Sequence, residues 1–383
     1  MDQFDVAVVG LGVVGSAAAY QAALKGAKTI GFEQFEFGHV RGASSDTSRI
    51  VRTSYGTPEY VKLAQDAYRE WSNLEQRSGL QMLTITGGVV FFSPDATGIN
   101  SANSASEFTK SLDANGLPYE LLSPQEVKKR WPQFNLPQGV ETVFTADSGI
   151  VHAGRSVAAF QNEARQEGAI LRENTRVDKI IPVPDGVVIK TSKGQFRAAK
   201  VILAADAWIN RLLKPLDAEI PLTVMQEQVT YFKPHDLAPF ETTKFPVWIW
   251  GGKEWFYGFP SYGEPSIKAG RDIANNIMTP EQRTFAHSPQ LLEQLTSFME
   301  ALIPAKGQPL RTVTCQYAIT PDRQFIISPL EKYKNIIVGL GGGHIFKFAP
   351  AVGRILAELA IDGKTDSDIS LFGIPRTPTS SKL

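Results

Sequence analysis

The pattern of hydrophobic and polar positions at the start of the chain predicts a strand, a tight turn, a helix and a second strand. Residues 5–9 form an apolar, β-branched run that is typical of a strand. The string GLGVVG at 10–15 predicts a glycine turn, and the alanine-rich stretch that ends at Gly26 predicts a helix with a glycine at its C-terminus. Residues 29–33, TIGFE, predict a second strand that ends in an acid.

Later stretches carry further helix and strand patterns. We expect helices at 58–78 and 290–302, strand-like structure at 84–93, a capped helix start at 123–126, three short strands within 177–205, and sheet strands within 222–270. An apolar strand at 335–340 runs into GGGH at 341–344, and 348–361 is helix-like. This second strand, glycine loop and helix is expected to bring another helix N-terminus to a ligand.

The two nucleotide-binding patterns lie at opposite ends of the chain, with sheet-rich sequence between them. A chain of 383 residues is long enough for more than one domain, because a single core rarely grows beyond about 250–300 residues. We therefore predict an α/β (α+β) fold with a discontinuous dinucleotide-binding domain, residues 1–85, 146–220 and 316–383. Residues 86–145 and 221–315 are expected to form a second, substrate-binding domain on a large mixed β-sheet.

Charge and composition exclude several classes of function. Lys plus Arg equals Asp plus Glu at 39 each, so no net charge draws the chain to nucleic acid or to an anionic membrane. No stretch approaches the roughly 20 apolar residues of a membrane span, and the acidic MDQFD start is unlike a signal peptide. A single cysteine, Cys315, leaves no internal disulfide and no multi-thiolate metal site, so we expect a reducing compartment and no metal.

The glycine turn has the chemistry of a dinucleotide site. Gly10 permits the tight turn, Gly12 lets the backbone approach a pyrophosphate, and Gly15 lets the helix pack closely on the strand. Glu33 ends the second strand, where such a unit places a carboxylate that accepts a hydrogen bond from a ribose hydroxyl. These residues predict dinucleotide binding and do not distinguish NAD from FAD.

Motifs spread over most of the chain resemble the monomeric sarcosine oxidase family, which includes oxidases of N-methyltryptophan, pipecolate, saccharopine and fructosyl amino acids. The resemblance runs from Asp5 to about Phe372. It rests on GLGVVG with Glu33, SSDTSRIVRTSYG at 44–56, RWP at 130–132, FYGFPSYG at 256–263 followed by Lys268, TCQYAITPD at 314–322 and GGGHIFKFAPAVG at 341–353. It implies an FAD-binding domain of the glutathione-reductase/D-amino-acid-oxidase type.

The resemblance also implies the cofactor and the electron acceptor. Family members hold FAD in the N-terminal βαβ unit and pass electrons to oxygen. A cysteine in the segment that matches TCQY forms a thioether with the flavin ring, and Cys315 occupies that position. The alternative for an isolated cysteine is a small buried hydrophobic residue. The matching glycines Gly342 and Gly343 are expected beside the cofactor.

Four basic residues match family positions with separate roles. Arg52 and Lys347 fall where the family binds the substrate carboxylate, which suits one forked donor and one point charge. Lys268 matches the lysine that promotes the reaction with oxygen, through a fixed positive charge beside the flavin. Arg49 matches a basic residue near the flavin ring, although an ion pair with Asp46 is the alternative.

Three further residues match positions near the family's substrate pocket. Tyr257 and Tyr317 correspond to tyrosines that line it, although tyrosines in sheets more often serve packing. His344 corresponds to a histidine close to the flavin; its alternative is to hydrogen-bond the backbone of its own loop.

Four departures from the family pattern argue against sarcosine itself as the substrate. Ser45, expected at the cofactor, stands where the family has a histidine, and Asp272 replaces another family histidine. Asp206 replaces a glycine, and Ile345 replaces a small residue. We hypothesise that Asp272 pairs with a cationic amine or side chain of a larger substrate; the alternative is an acid on the outer face of the sheet.

Taken together, the sequence predicts an FAD-dependent oxidase of an N-substituted amino acid, linear or cyclic, that reduces oxygen to hydrogen peroxide. The alternatives are a flavin enzyme for primary amino acids or hydroxy acids, and a non-oxidase that binds NAD or FAD. The chain ends in Ser381-Lys382-Leu383, which in a eukaryote is an address read by the peroxisomal import receptor. We expect a peroxisomal monomer in a eukaryote and a cytoplasmic one otherwise.

Overall fold

Nineteen strands and eight α-helices run through residues 2–96 and 104–375, which are the residues described in the computed structural model. The helices are α1 (Val13–Leu24), α2 (Pro58–Ser78), α3 (Ala105–Ala114), α4 (Pro124–Arg130), α5 (Ala153–Gln166), α6 (Ile209–Leu213), α7 (Pro289–Leu302) and α8 (Ala349–Ile361). The strands are β1 (Gln3–Val9), β2 (Thr29–Phe32), β3 (Ser48–Val51), β4 (Leu83–Ile85), β5 (Gly88–Phe92), β6 (Glu120–Leu122), β7 (Glu141–Thr145), β8 (Gly149–His152), β9 (Ile170–Arg172), β10 (Val177–Val183), β11 (Gly186–Thr191), β12 (Gly194–Leu203), β13 (Thr223–Lys233), β14 (Val247–Gly251), β15 (Trp255–Phe259), β16 (Ile267–Asp272), β17 (Gln308–Ile319), β18 (Ile326–Pro329) and β19 (Ile336–Leu340).

The first sheet is the predicted nucleotide-binding sheet. Its parallel part has the order β9-β2-β1-β12-β19, and β18 adds an antiparallel edge. The predicted three-strand stretch is a meander in which β12 pairs with β11 through its first half and with β19 through its second. The carboxyl ends of β1, β2 and β12 therefore meet at one edge, where open α/β sheets bind their ligands.

Helix α1 is buried along almost its whole length because its side chains are small. It packs against α5 and α8, which cover it on the sheet. Gly353 of α8 shows how close the approach is, since a Cβ there would lie 2.6 Å from the Cβ of Ala17. This arrangement fixes the N-terminus of α1 directly behind the glycine turn.

The second sheet confirms the predicted mixed sheet of aromatic strands. Its order is β17-β13-β16-β15-β14-β5-β7-β6, and all neighbours are antiparallel except β14 and β5. Aromatic side chains such as Trp248 and Phe256 are buried in its core, and the apolar face of α7 packs against them through Leu295 and Met299. One face of this sheet is thus closed, and residues of β15, β16 and β17 also line a cavity.

A third, small sheet of order β3-β8-β4 carries the segment that enters the cavity. The strand-like stretch predicted at 84–93 divides here, because Gly87 turns the chain with a φ of 71°. Its first part, β4, belongs to this sheet, whereas β5 joins the second sheet. Strand β3 places residues 48–51 close to both larger sheets.

The predicted division into two domains stays a prediction. Its boundary between residues 315 and 316 falls inside β17, which pairs continuously along β13 from Ile319 to Thr312. Among residues 2–96 and 104–375, no helix has both the length and the apolar character of a membrane span. The C-terminal Ser-Lys-Leu lies outside the described residues.

Candidate active site

A large cavity lies between the first and second sheets. Its volume is about 950 Å³, at the upper end of the roughly 300–1,000 Å³ that small-molecule sites occupy. Its lining includes the glycine turn, the segment 42–52, the central strands of the second sheet and the loop 341–347. Fourteen of the sixteen predicted site residues line it; they are Gly10, Gly12, Glu33, Ser45, Arg49, Arg52, Tyr257, Lys268, Asp272, Cys315, Tyr317, Gly343, His344 and Lys347.

The glycine turn occupies one end of the cavity. Gly10 has a φ of 88°, and a Cβ there would lie 2.5 Å from the carbonyl oxygen of Ala204. Gly12 is the residue that precedes α1, and a Cβ there would lie 2.9 Å from Ser44 Oγ. Gly15 does not line the cavity, because it faces the turn itself, where a Cβ would lie 1.8 Å from the Gly10 carbonyl oxygen.

Glu33 closes the same end and is held as a carboxylate. Its oxygens accept hydrogen bonds from the backbone N–H groups of Leu11 (3.0 Å) and Phe35 (3.1 Å), and His39 Nε2 lies 3.4 Å away. Burial alone would raise the pKa of this carboxyl, but the hydrogen bonds from His39, Leu11 and Phe35 lower it overall. Glu33 is therefore charged at neutral pH.

The loop 341–344 leads into a short 3₁₀ turn rather than directly into a helix. Residues 345–348 form this turn, and α8 begins only at Ala349, so the predicted helix N-terminus does not face the cavity. Gly343 does line the cavity. Its φ is 89°, and a Cβ there would clash with the Tyr317 ring at 2.5 Å. Gly342 does not line the cavity, and a Cβ there would lie 2.9 Å from the carbonyl oxygen of Arg323.

Two cations face the other end of the cavity without a counter-ion. Arg52 stacks over the Tyr55 ring at 3.8 Å, and its Nη1 is buried without a hydrogen-bond partner. Lys347 Nζ donates to the carbonyl oxygen of His344 at 2.9 Å. Within residues 2–96 and 104–375, neither side chain has an ion-pair partner.

Burial disfavours the charged forms of Arg52 and Lys347, so a bound anion would stabilise both charges. It lowers the pKa of Lys347 to about 7, an effect that the Arg52 charge strengthens and the Asp272 charge opposes. Burial also lowers the pKa of Arg52, although an arginine keeps its charge. A carboxylate between the two would relieve both their mutual repulsion and their desolvation.

Lys268 belongs to a charged cluster between the two ends. Its Nζ lies 3.0 Å from Asp46 Oδ2 and donates to the Ser48 carbonyl oxygen at 2.9 Å. The ion pair offered above as the alternative for Arg49 is present, with 3.6 Å between Arg49 Nη1 and Asp46 Oδ2. Arg49 also lines the cavity and donates to the carbonyl oxygens of Ala43 and Ser45.

Burial acts in opposite directions on the pKa values of Lys268 and Asp46. Burial lowers the pKa of Lys268 to about 8, although Asp46 acts against this. Asp46 is itself kept ionised, since the charges of Lys268 and Arg49 outweigh its burial and hold its pKa well below the usual range. Near neutral pH the cluster carries one anion and two cations.

Four further predicted side chains, those of Cys315, Tyr257, Tyr317 and His344, are neutral at neutral pH. Burial raises the pKa of the Cys315 thiol to about 11, and it raises the pKa values of Tyr257 and Tyr317 above their ordinary range. His344 lies between the rings of Tyr60 and Phe325, and burial holds its pKa well below 6.5. The His344 ring is therefore uncharged and a weak base.

The hypothesis for Asp272 needs a correction, because its charge is already paired. Asp272 Oδ2 accepts a hydrogen bond from Arg323 Nη2 at 3.1 Å, and both residues line the cavity. Asp272 thus faces the cavity rather than the outer face of the sheet, and its carboxylate already has a cationic partner. A substrate cation would have to share it with Arg323.

Three functional side chains escaped the sequence analysis. Arg323 follows the TPD motif, Arg283 is a buried residue that precedes an exposed loop, and Glu227 is buried in β13 between Gln226 and Gln228. No local signal in the sequence marks Glu227 as buried, because its neighbours Gln226 and Gln228 are polar too. No group of three or more histidine, cysteine, aspartate or glutamate side chains in the described ranges is arranged to bind a metal ion.

Comparison with known proteins agrees with this geometry. A family profile described as "FAD dependent oxidoreductase" matches residues 5–359. A monomeric sarcosine oxidase of Bacillus sp. (strain B-0618) is 34% identical over 99% of this chain and 98% of its own length. A peroxisomal sarcosine oxidase of Homo sapiens is 30% identical over 100% of this chain and 98% of its own length.

Solved structures show the same fold. NikD, described as an unusual amino acid oxidase essential for nikkomycin biosynthesis, matches with a TM-score of 0.86 and 27% identity, over 98% of each chain. An L-proline dehydrogenase from P. horikoshii matches with a TM-score of 0.84 and 22% identity, over 97% of each chain. The chain belongs to the FAD dependent oxidoreductase family and, within it, to the relatives of monomeric sarcosine oxidase, so it is an FAD-dependent amine oxidoreductase.

Proposed function

We propose that this enzyme oxidises an amino acid with a substituted nitrogen, linear or cyclic, and that its carboxylate binds between Arg52 and Lys347. One observation carries the proposal: two buried cations face a large cavity, and neither has an ion-pair partner among the described residues. Arg52 offers a planar fork that matches a carboxylate, and Lys347 adds a point charge. Bound this way, the substrate lies across the cavity from the glycine turn.

The residues at the glycine turn fit FAD. Gly10 and Gly12 leave the space that a Cβ would fill, and the N-terminus of α1 behind them favours a pyrophosphate. Glu33 is positioned to accept a hydrogen bond from a ribose hydroxyl, and Ser45 and Gly343 line the cavity further along. Bound FAD would supply a two-electron acceptor that oxygen can reoxidise.

The chain's own contribution to the oxidation is to orient the substrate and to exclude water. His344, Tyr257 and Tyr317 are neutral, so the described cavity offers no strong base beside the carboxylate site. In this dry cavity the neutral form of the substrate amine is favoured, because burial penalises the charged form. Bound FAD would accept a hydride from the carbon next to the nitrogen, and the imine left after loss of the N–H proton would hydrolyse or cyclise.

Lys268 is proposed to assist the reaction with oxygen. Asp46 and the Ser48 carbonyl fix its ammonium group at one place in the cavity wall. A fixed cation stabilises negative charge as it develops on oxygen, and that is an electrostatic role rather than a proton transfer. Arg49 adds a second cation to the same wall.

Cys315 is proposed to bind the flavin covalently. It lies in β17 with its side chain in the cavity, and it is the one cysteine of the chain. A visible spectrum taken before and after acid precipitation tests this link. Yellow colour that stays with the precipitated protein supports it, whereas colour released to the supernatant leaves Cys315 a packing residue.

The substrate is proposed to be larger than sarcosine. The cavity wall carries the Asp272–Arg323 pair and the branched side chain of Ile345, which is packed against Gly341. A small N-methyl substrate would leave this wall without contacts. A polar or cationic group on the substrate could share the Asp272 carboxylate with Arg323.

The cellular setting is a proposal as well. An oxidase that releases hydrogen peroxide suits a peroxisome, and a relative from Homo sapiens bears the name peroxisomal sarcosine oxidase. In a eukaryote the C-terminal Ser-Lys-Leu would be read by the import receptor, and elsewhere a cytoplasmic location is expected. We propose a monomer, as in the relatives named monomeric sarcosine oxidase.

A substrate panel with peroxide detection tests the proposed reaction. We expect peroxide from N-methyl and cyclic amino acids, with a better kcat/KM for bulky members than for sarcosine. Arg52→Met should abolish most of this activity, and Arg271→Met is a matched control, since Arg271 pairs with Glu254 and does not line the cavity. Activity confined to primary amino acids or hydroxy acids would contradict the proposal.

A further inference from the structure

We propose that Arg283 is a positioning residue that favours the thiolate of Cys315 and thereby its bond to the flavin ring; this inference rests on the covalent link proposed above. Arg283 lies where the main cavity meets a second cavity of about 690 Å³, and it lines both. Its side chain is 7% exposed. It is therefore a buried cation on the wall that also carries the thiol.

Arg283 joins β17 to the loop that follows β2. Its Nη2 donates to the carbonyl oxygen of Thr314 at 2.6 Å, next to Cys315 in sequence. Its Nη1 donates to the carbonyl oxygens of Val40 (3.1 Å) and Arg41 (2.7 Å). These acceptors are neutral, and Arg283 Nε is buried without a partner. The guanidinium thus lies against Thr314, the residue before Cys315, and no carboxylate among the described residues pairs with it.

The other two cations near the thiol share one carboxylate. Arg49, from β3, and Lys268, from β16, both lie beside the Asp46 carboxylate, at 3.6 Å and 3.0 Å. Within the described ranges, Arg283 has no such ion-pair partner.

The groups that face the thiol from β13, β15 and its own strand carry no charge at neutral pH. Glu227 lies directly across from Cys315 in the β13–β17 register, and both its oxygens accept from the Ala274 N–H. Burial raises the pKa of Glu227 to about 8, so it is mostly protonated below that pH. Burial also keeps Tyr257 and Tyr317 neutral.

The net effect on the thiol follows from these neighbours. Burial raises the pKa of Cys315, while Arg49 and Arg283 act against it and the carboxyls of Glu227 and Asp46 act with it. Glu227 is mostly protonated near neutral pH, and the Asp46 carboxylate pairs with Arg49 and Lys268. Of the two arginines that favour the thiolate, Arg283 is therefore the one without an ion-pair partner among the described residues.

The bond that this thiolate forms balances with oxygen as the oxidant. Cys315 loses its S–H proton, and its sulfur forms a bond to the methyl carbon on the benzenoid edge of the flavin ring. That carbon loses one hydrogen as a proton, and the two electrons released reduce the ring. Oxygen, the acceptor of the proposed activity, then takes the two electrons and two protons as hydrogen peroxide, which restores the oxidised ring.

The direct test is the alkylation rate of Cys315 as a function of pH. The full chain, produced under riboflavin limitation without bound flavin, has one thiol, so iodoacetamide reports on Cys315 alone. Arg283→Met should slow alkylation at pH 7, where Glu227 is mostly protonated, about tenfold, which corresponds to one pH unit in the thiol equilibrium. Arg283→Lys should recover most of the rate, because it keeps the charge and loses the bridging hydrogen bonds.

Arg311→Met is the matched control. Arg311 lies in β17, as Cys315 does, and lines the same cavity, but its guanidinium pairs with Glu264. This variant should leave the alkylation rate unchanged. An Arg283→Met rate equal to wild type would overturn the proposal. An Arg283→Lys variant as slow as Arg283→Met would also overturn it, since the role of Arg283 would then be structural.

A second measurement separates this inference from the covalent link. After FAD is added to the flavin-free chain, the fraction of flavin that stays with acid-precipitated protein is followed over time. We expect attachment about tenfold slower in Arg283→Met than in wild type. Equal rates would overturn the role of Arg283 and leave the covalent link standing, whereas no attachment in wild type would overturn both.

Discussion

At one end of the cavity the chain offers backbone, and at the other it offers side-chain charge. The glycine-turn end comes from one continuous stretch, in which Gly10 and Gly12 expose main chain and α1 follows directly. The cationic end joins Arg52, just after β3, to Lys347, just before α8. The first end needs a local conformation, and the second needs the whole fold.

This difference shows which end tolerates which change. Adding one methyl group at the glycine turn meets main-chain atoms that cannot move aside. Removing the charge of Arg52 or Lys347 leaves the backbone intact. The substrate carboxylate then loses one of its two cationic partners, which weakens its binding. Binding of the cofactor and binding of the substrate should therefore fail separately, and the following predictions use that separation.

The largest effect is expected from Gly10→Ala. Its Cβ would lie 2.5 Å from the Ala204 carbonyl oxygen at a φ of 88°, so the turn cannot keep its shape. We expect purified Gly10→Ala protein without flavin absorbance. Gly26→Ala is the control, because Gly26 has a φ of 83° but nothing within 4 Å of an added Cβ. It should retain flavin and lose only about 1 kcal/mol of stability. Equal flavin content in both variants would contradict this explanation.

Lys268→Met should slow the reaction of the reduced enzyme with oxygen about 100- to 1,000-fold, the size expected for loss of one preorganised charge in a dry site. Reduction by substrate without oxygen should change far less, because Lys268 contacts Asp46 and Ser48 rather than the carboxylate site. Stopped-flow absorbance measures both steps. A variant that is slowed equally in both would show that Lys268 supports the cavity's shape instead.

Carboxylate binding should weaken as the pH rises through about 7. Burial places the pKa of Lys347 there, so its ammonium is charged below that pH and neutral above it. The affinity for a simple carboxylate without an amine, such as propionate, should fall by about 10- to 100-fold with the loss of one charge-assisted hydrogen bond. Lys347→Met should bind propionate weakly at every pH. A Lys347→Met variant that keeps the wild-type pH dependence would assign it to another group.

The smallest effect is expected from Asp272→Asn. This change removes the charge opposite Arg323 but keeps an acceptor of the same shape. We expect kcat/KM for substrates with a second cationic group to fall about three- to tenfold relative to simple cyclic amino acids, in keeping with roughly 1 kcal/mol for one hydrogen bond. An unchanged ratio would show that the pair stabilises the wall and does not select the substrate.

The sequence predicted those parts of the site that depend on local patterns. β1, α1 and β2 follow from periodicity and glycine spacing, and the structure confirms them within a few residues. The motif around Arg52 and the IFKFAP motif around Lys347 singled out both cations, and both line the cavity. Their meeting follows from the resemblance, because nothing in the spacing of two distant motifs requires it.

The parts that escaped prediction depend on contacts between elements. The pairing of Asp272 with Arg323 joins β16 to the loop after β17, and no local sequence pattern predicts it. The helix predicted at 348–361 is confirmed as α8, whereas the 3₁₀ turn at 345–348 was not predicted, since no local pattern marks it. The sequence around Arg283 is typical of a surface loop. Arg283 is buried because it packs between β17 and the loop at Val40, which are distant in sequence.

The central claim is that Arg52 and Lys347 together hold the substrate carboxylate beside the flavin. The most direct measurement is a titration of the purified holoenzyme with propionate, followed by the change in flavin absorbance, for wild type, Arg52→Met and Lys347→Met. The account predicts saturable binding in wild type and at least about 10-fold weaker binding in each variant, with flavin content unchanged. Equal affinity in all three proteins would contradict it.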